Sequence, residues 1–377
     1  MSGTGSTVSG RWVATCARGL EEILLGELRA LDVADAGVDV GGVRFRGDFA
    51  AGMRANWRLR SANRVLLELA SWPAPDDEAL YAGARTLDHP WLTPDRTFAI
   101  HATSSRSQVR DTRWVALKVK DGLVDGQRER FGRRASVERD WPDLALRVRL
   151  HGDRATLLLD TSGEPLDRRG YRTETTTAPL REQVAAAAIL ASGWDGRGPV
   201  VDPMCGSGTL LAEAAAIALG LPPNRLREVW AFEQLPGFDP AVFARLRAEP
   251  IPTPGPDVEL WGVDREPSAI AAATRNLEAA GLHGRARLAV GDGFAFAPPP
   301  GPGLLAVNPP WGQRLTDTDI AAWRRLGDLL KQRYRGWKAV VLAGGEGLGK
   351  HLGLRPARRL PVRSGPLDAR ILLFDLW

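Results

Sequence analysis

The stretch Val200-Val201-Asp202-Pro203-Met204-Cys205-Gly206-Ser207-Gly208-Thr209 constrains this chain more than any other. Two β-branched residues run into an acid, glycines two apart follow, and an alanine- and leucine-rich pattern over residues 209–219 comes next. Strand, tight loop and helix in that order are the opening unit of an open parallel sheet, where ligands sit at the carboxyl ends of strands. Gly206 and Gly208 let the backbone turn sharply and approach a ligand, and the helix start offers unpaired N–H groups. A phosphate loop would need a lysine that is absent here, and a dinucleotide fingerprint would need glycine where Leu211 stands. What remains is a ligand with an amino-acid end, whose ammonium Asp202 can receive.

The alternation continues on both sides. A helix is expected over residues 180–191, and strands over 259–263, 286–290, 304–307 and 339–343. Helices over 240–247, 267–280 and 319–333 separate them, and a closing hairpin lies around Gly365-Pro366. The fold class expected is α/β, a mostly parallel Rossmann-like sheet with a terminal antiparallel hairpin.

Acids recur where these strands end. Asp264, followed by Arg265, closes one strand, and its carboxylate can accept from two ribose hydroxyls; capping the helix that starts near Pro267 is an equal reading. Asp292, followed by Gly293 and Phe294, closes another. It can hold an adenine amine with Phe294 against the ring, although a turn aspartate is the plainer reading of that residue alone. The strand over 304–307 ends in Asn308-Pro309-Pro310-Trp311-Gly312. Two prolines stiffen the turn and leave the Asn308 amide oxygen and the Pro309 carbonyl as fixed acceptors. A ring-conjugated amine is a poor nucleophile, and two acceptors on its N–H bonds aim its lone pair at an incoming methyl group. Trp311 offers a stacking face for a base. Loop and clamp together, in this order, point to methyl transfer from S-adenosylmethionine (SAM) to the exocyclic amine of a base.

The first half reads differently. Alternating residues 12–15, a helical pattern over 19–28, a Gly41-Gly42 turn between short strands, a helix over 49–59 and a strand over 64–71 form a ferredoxin-like order. A second unit has strands over 97–102, 145–150 and 155–160 and a helix over 112–124, and residues 160–179 read as a linker. The formal charge is +5, carried almost entirely by arginine. Basic residues crowd residues 106–139 and again follow the Asn-Pro-Pro-Trp segment, which suits a polyanionic substrate. Two distant cysteines and five histidines show neither a zinc spacing nor a disulfide framework, so no metal is expected. Met1–Gly10 lacks the basic and apolar regions of a secretory leader, and no apolar run is long enough to span a bilayer. A cytoplasmic protein is expected.

With these residues assembled, the chain resembles the THUMP-domain RNA guanine-N2 methyltransferases of the RlmL type, which act on 23S ribosomal RNA. The resemblance runs nearly end to end. Besides the loop and the clamp it rests on Cys16-Ala17-Arg18-Gly19-Leu20-Glu21-Glu22, Gly41-Gly42-Val43-Arg44-Phe45, Lys118-Val119-Lys120-Asp121, Arg169-Gly170-Tyr171-Arg172 and Gly365-Pro366-Leu367-Asp368. It implies a ferredoxin-like segment over residues 1–60, a THUMP RNA-binding domain over 61–162, a linker over 163–179 and a class I methyltransferase domain over 180–377. Residues 178–182, Pro179 among them, would flank the cofactor. Arg113, Lys118, Lys120, Arg169, Arg172 and Arg314 are the expected RNA contacts. Trp311 stands where the family usually has Tyr or Phe, and no second methyltransferase half follows, so one methylation is expected. The substrate implied is 23S rRNA or a large-subunit assembly intermediate. A THUMP methyltransferase acting on tRNA and a catalytically silent RNA-binding assembly factor are the alternatives.

Overall fold

The structure, a computed structural model, describes residues 10–174, 180–282, 284–309, 317–344, 347–364 and 367–377. Its first half begins β1 (Gly10–Thr15), α1 (Glu21–Arg29), β2 (Ala34–Asp39), β3 (Gly42–Gly47), α2 (Phe49–Arg58), β4 (Arg64–Pro73). Glu21 and Glu22 in the first turn of α1 and Arg29 in its last complement the helix dipole, while Leu24, Leu25 and Leu28 face the core. Asp48 caps α2 by accepting from the Ala51 N–H. The strands lie in the order β4-β1-β3-β2, all antiparallel, as a ferredoxin-like unit requires.

Then follow α3 (Asp77–Arg85), β5 (Phe98–Ser105), α4 (Thr112–Phe131), β6 (Leu144–His151) and β7 (Arg154–Asp160). These are not a separate layer. β4 pairs with β1 on one side and β7 on the other, making one seven-stranded sheet, β2-β3-β1-β4-β7-β6-β5. Helix α4 runs a full turn and more beyond the expected residue 124, to a left-handed Gly132. It packs on α3 through Gly122 and Gly126, where a Cβ would sit 2.4 Å from the Tyr81 carbonyl oxygen and 2.1 Å from that of Arg85. Gly126→Ala should therefore cost about 1–3 kcal/mol through overpacking, outweighing the ~1 kcal/mol that alanine gains in helix propensity. A urea midpoint that stays put or rises would show that the helices have room to part.

The second half contains α5 (Glu182–Ala191), β8 (Val200–Asp202), α6 (Thr209–Ala218), α7 (Pro240–Ala248), β9 (Leu260–Asp264), α8 (Pro267–Ala279) and β10 (Ala286–Val290). It ends with β11 (Leu304–Val307), α9 (Asp317–Arg333), β12 (Lys338–Gly344), β13 (Arg358–Ser364) and β14 (Leu367–Asp375). Its sheet order is β10-β9-β8-β11-β12-β14-β13, parallel through β12 and antiparallel for the closing hairpin.

One apolar cluster runs through both halves. Trp57 of α2 meets Trp230 and Phe243 edge-on, and Trp230 stacks on Phe232. Around this contact Arg54 and Arg58 of α2 pair with Glu249. Among the described residues no helix is long and apolar enough to cross a membrane.

Candidate active site

The order β10-β9-β8-β11 brings four acid- or amide-tipped strand ends side by side: Asp292, Asp264, Asp202 and Asn308. The strand of this set that comes first in the chain, β8, has β9 on one flank and β11 on the other. The crevice where chain direction reverses therefore lies between the glycine loop and Asn308.

The loop is tied down by its own backbone. Cys205 N–H donates to the Val263 carbonyl at 3.0 Å, and Gly208 N–H to the Cys205 carbonyl at 2.8 Å. Gly206 (φ 51°) and Gly208 (φ 80°) take the left-handed conformation that favours glycine. Gly208 also faces Ala273 of α8, where a Cβ would be only 3.2 Å away. Pro203 backs onto Gly293, which has no room for a side chain: a Cβ there would lie 1.8 Å from the Pro203 carbonyl oxygen. Met204 is half-buried against the apolar cluster beneath β11 and β12. Burial, then the charges of Asp202 and Asp264, push the Cys205 thiol far up, so this sulfur packs and is no nucleophile. Ser207 and Thr209 are buried and engaged by α8 and by the linker.

Asp202 is 2% exposed and accepts one hydrogen bond, 3.1 Å from the Met204 N–H. Burial, with repulsion from Asp264 added, pushes its carboxyl up to about 8. Among the described residues no cation pairs with this buried acid, an environment that an ammonium-bearing ligand would complete. Asp264 does two things that the sequence left as alternatives. Its Oδ2 accepts from Gly206 N–H at 2.9 Å, fixing the loop, and its Oδ1 accepts from Glu266 N–H at 3.0 Å at the start of α8.

Asp292 is more heavily engaged than its sequence context suggests. Arg265 donates to Oδ1 at 3.0 Å, Phe294 N–H to the same oxygen at 3.1 Å, and Arg325 of α9 to Oδ2 at 3.1 Å. Burial alone would raise the Asp292 carboxyl, but the bonds from Arg265, the Phe294 N–H and Arg325 outweigh it and hold it below the usual range. Both guanidiniums also lie over the Phe294 ring, Arg325 at 4.3 Å from its centroid and Arg265 at 5.9 Å. Sequence reasoning missed Arg325 because nothing local marks one arginine of a charged helix.

All four residues of β11 are buried, which fixes where the chain emerges; Asn308 is half-exposed at that point and Pro309 is buried. Pro310, Trp311 and Arg314, like Pro179, lie outside the described residues.

Two expected RNA contacts need correction. Arg169 is 1% exposed: it donates to the carbonyls of Leu166 and Arg60 and sits 3.5 Å from Glu213. Arg172 also points inward, to the Leu180 carbonyl, to Thr209 Oγ1 at 3.0 Å and to Glu182 at 3.2 Å. Both are consumed by backbone carbonyls and buried acids, so neither guanidinium reaches a ligand outside. Arg113 is exposed on α4 next to the exposed Trp114, whose ring carries Lys118 at 4.8 Å from its centroid. Lys118 pairs with Asp77 and Lys120 with Asp121, both only partly covered. Among the described residues there is no cluster of three or more His, Cys, Asp or Glu that could hold a metal.

Residues 169–372 match the family described as RMKL-like, methyltransferase domain, residues 11–66 the RlmL ferredoxin-like domain, and residues 74–160 the THUMP domain. A provisionally named RNA methyltransferase of Synechocystis, slr0064, is 35% identical, with 97% of each chain covered. The ribosomal RNA large subunit methyltransferase K/L of Methylococcus capsulatus is 38% identical over 96% of this chain and 51% of its own length. The chain thus spans about half the length of the K/L relatives it matches. Among solved structures, SMU.472, a provisionally assigned methyltransferase complexed with SAH, superposes with TM-score 0.86 at 28% identity, covering 98% of both chains. A Listeria monocytogenes protein named as an N6-adenine-specific DNA methylase superposes with TM-score 0.83 at 29% identity, covering 98% of this chain and 96% of its own.

Proposed function

Because the chain belongs to the RMKL-like methyltransferase family, we propose that it transfers a methyl group from SAM to the exocyclic N2 amine of a guanine in 23S rRNA. The observation that carries this reading is the row Asp292, Asp264, Asp202 and Asn308 at adjacent strand ends, with the half-exposed amide on the strand next to the buried Asp202. SAM supplies an electrophilic methyl group when bound, and the acids of the row suit its cationic centres. In this reading Asp202 receives the ammonium and Asp264 the ribose hydroxyls, while Pro203–Thr209 form the cradle. Arg265, Asp292, Gly293 and Phe294 make the adenine end, and Pro179 flanks it.

Asn308 and the Pro309 carbonyl hold the amine, Pro310 stiffens the turn, and Trp311 stacks on the base. The attacking nitrogen forms its bond to the methyl carbon as the carbon–sulfur bond breaks, and its proton passes to solvent. Arg113, Lys118, Lys120 and Arg314 contact the RNA backbone. The working division is residues 1–60, 61–162, 163–179 and 180–377, and the setting is the cytoplasm, where 23S rRNA or an assembling large subunit is met. Support comes from the family membership, from the SAH bound to SMU.472, and from the names of the K/L relatives.

The test is methyl transfer from labelled SAM to separated ribosomal and transfer RNA from cells lacking the gene, followed by nucleoside analysis. N2-methylguanosine in the large ribosomal RNA alone is expected. Label confined to tRNA would keep the chemistry and overturn the substrate; no label in either RNA, nor in large-subunit assembly particles from the same cells, would overturn the enzyme.

Asp202 adds a pH signature. With a carboxyl near 8 the free protein holds it largely protonated at neutral pH, whereas an ammonium partner requires the carboxylate. Binding therefore expels a proton, and SAM affinity should climb between about pH 6 and 8, approaching tenfold per unit, then level off. Calorimetric titrations across that range in buffers of different ionisation heat would read it. A flat profile would separate Asp202 from the ligand's ammonium.

A further inference from the structure

The linker between the halves is built into the glycine loop. Asn276 of α8 is 1% exposed. Its Oδ1 accepts from Thr173 N–H at 2.9 Å, Thr173 Oγ1 at 3.2 Å and Glu174 N–H at 3.1 Å. Its Nδ2 donates to the Glu174 carbonyl and to the Ser207 carbonyl, each at 3.0 Å. Three donors face the oxygen and two acceptors the nitrogen, so the amide has one orientation and is saturated. One residue earlier, Arg172 grips Thr209 Oγ1. Before that, Tyr171 Oη donates to Glu213 at 3.0 Å, on the helix that the loop opens. Arg169, paired with the same Glu213, donates to the Arg60 carbonyl of the first half.

We propose that Asn276 is a positioning residue for the cofactor loop, clamping the Ser207 carbonyl to linker residues 173–174 so that the linker forms part of the SAM site. No other side chain of this size both donates and accepts from one planar group. Ser207 lies between the two left-handed glycines, and its carbonyl shares a peptide plane with the Gly208 N–H, so fixing that carbonyl also holds the Gly208 N–H on the Cys205 carbonyl at 2.8 Å and keeps the loop's turn in shape. The clamp also connects that loop to the first half through Arg172, Tyr171 and Arg169. Docking of the first half and order in the loop are thereby one event.

The inference rests on the loop binding SAM, and the experiment separates the two. SAM affinity is measured by calorimetry for the full wild-type chain, Asn276→Ala and Asn276→Asp, alongside kcat, KM for SAM, thermal unfolding and RNA affinity. The aspartate keeps the acceptor for the Thr173 and Glu174 N–H groups and loses the donations to the Ser207 and Glu174 carbonyls; because it is nearly isosteric it decides the matter if the alanine variant fails to fold. Leaving the Ser207 carbonyl unsatisfied is expected to weaken SAM binding roughly 10- to 100-fold in both variants. KM should rise in step, while kcat at saturating SAM falls far less and RNA affinity holds. Wild-type chain that binds no SAM would overturn the reading of the loop and this inference with it. Wild-type binding with the Asp variant within twofold of it would overturn the inference alone. So would a loss of SAM affinity matched by an equal loss of RNA affinity, the mark of general damage.

Discussion

Asn308→Ala is expected to lower turnover at least about a hundredfold while SAM affinity stays within about threefold of wild type. The asymmetry follows from position. β11 is buried along its whole length and delivers Asn308 to the mouth of the crevice, whereas the acids proposed for the cofactor leave β8, β9 and β10. Removing the amide deletes the acceptor proposed for the substrate amine and leaves all three acids in place. Asn308→Asp should fall between alanine and wild type, since it keeps an acceptor but adds charge beside Asp202 and Asp264. Single-turnover methylation with saturating RNA, set against calorimetric SAM binding, separates the two effects. Turnover near wild type in the alanine variant would remove the clamp from the mechanism, and a parallel collapse of SAM affinity would move Asn308 into the cofactor site.

The second large effect is on stability. Arg169→Ala should cost about 3–5 kcal/mol, because Glu213, 2% exposed, would lose the guanidinium that sits 3.5 Å away. The carbonyls of Leu166 and Arg60 would lose their donor as well. The folded fraction should bind RNA as before. Arg113→Ala should do the reverse: stability within about 0.5 kcal/mol, RNA affinity reduced, and the salt dependence of binding shallower by about one ion. Guanidinium unfolding and RNA titrations at several salt concentrations report both. Weaker RNA binding by Arg169→Ala at unchanged stability would restore that residue to the RNA surface.

These two arginines also show where the sequence stops being legible. Strand ends are legible because short apolar runs stop at an acid, at Gly-Asp or at Asn-Pro, which the chain marks locally. The residues that end or follow these strands, Asp202, Asp264, Asp292 and Asn308, are therefore legible in the chain, whereas the order that sets them side by side belongs to the sheet. Arg169 sits in Asp167-Arg168-Arg169-Gly170, a run that looks solvated; its burial is decided by carbonyls and an acid far away in sequence. Asn276 is hidden for the same reason, a lone amide on a helix whose meaning comes from a linker about a hundred residues earlier. Helix α3 escaped notice because nine residues after a proline-rich turn carry too short a period, and its seat on Gly122 and Gly126 is a tertiary fact. For Asp264 the sequence leaves cap and ligand holder as alternatives, and the fold lets one carboxylate fix both the loop and the helix start.

The strand shared by the first two units has a practical consequence. The ferredoxin-like and THUMP matches stop at residue 66 and start at residue 74, so most of β4 falls in the gap between them. A fragment starting at residue 74 would lack all of β4 and leave β7 with an open row of backbone donors and acceptors, the template for strand-to-strand aggregation, while one ending at residue 66 would keep only the first three residues of β4 against β1. Dissecting this protein for expression should therefore keep residues 10–160 in one piece, and poor solubility of shorter fragments would reflect a severed sheet rather than a missing partner.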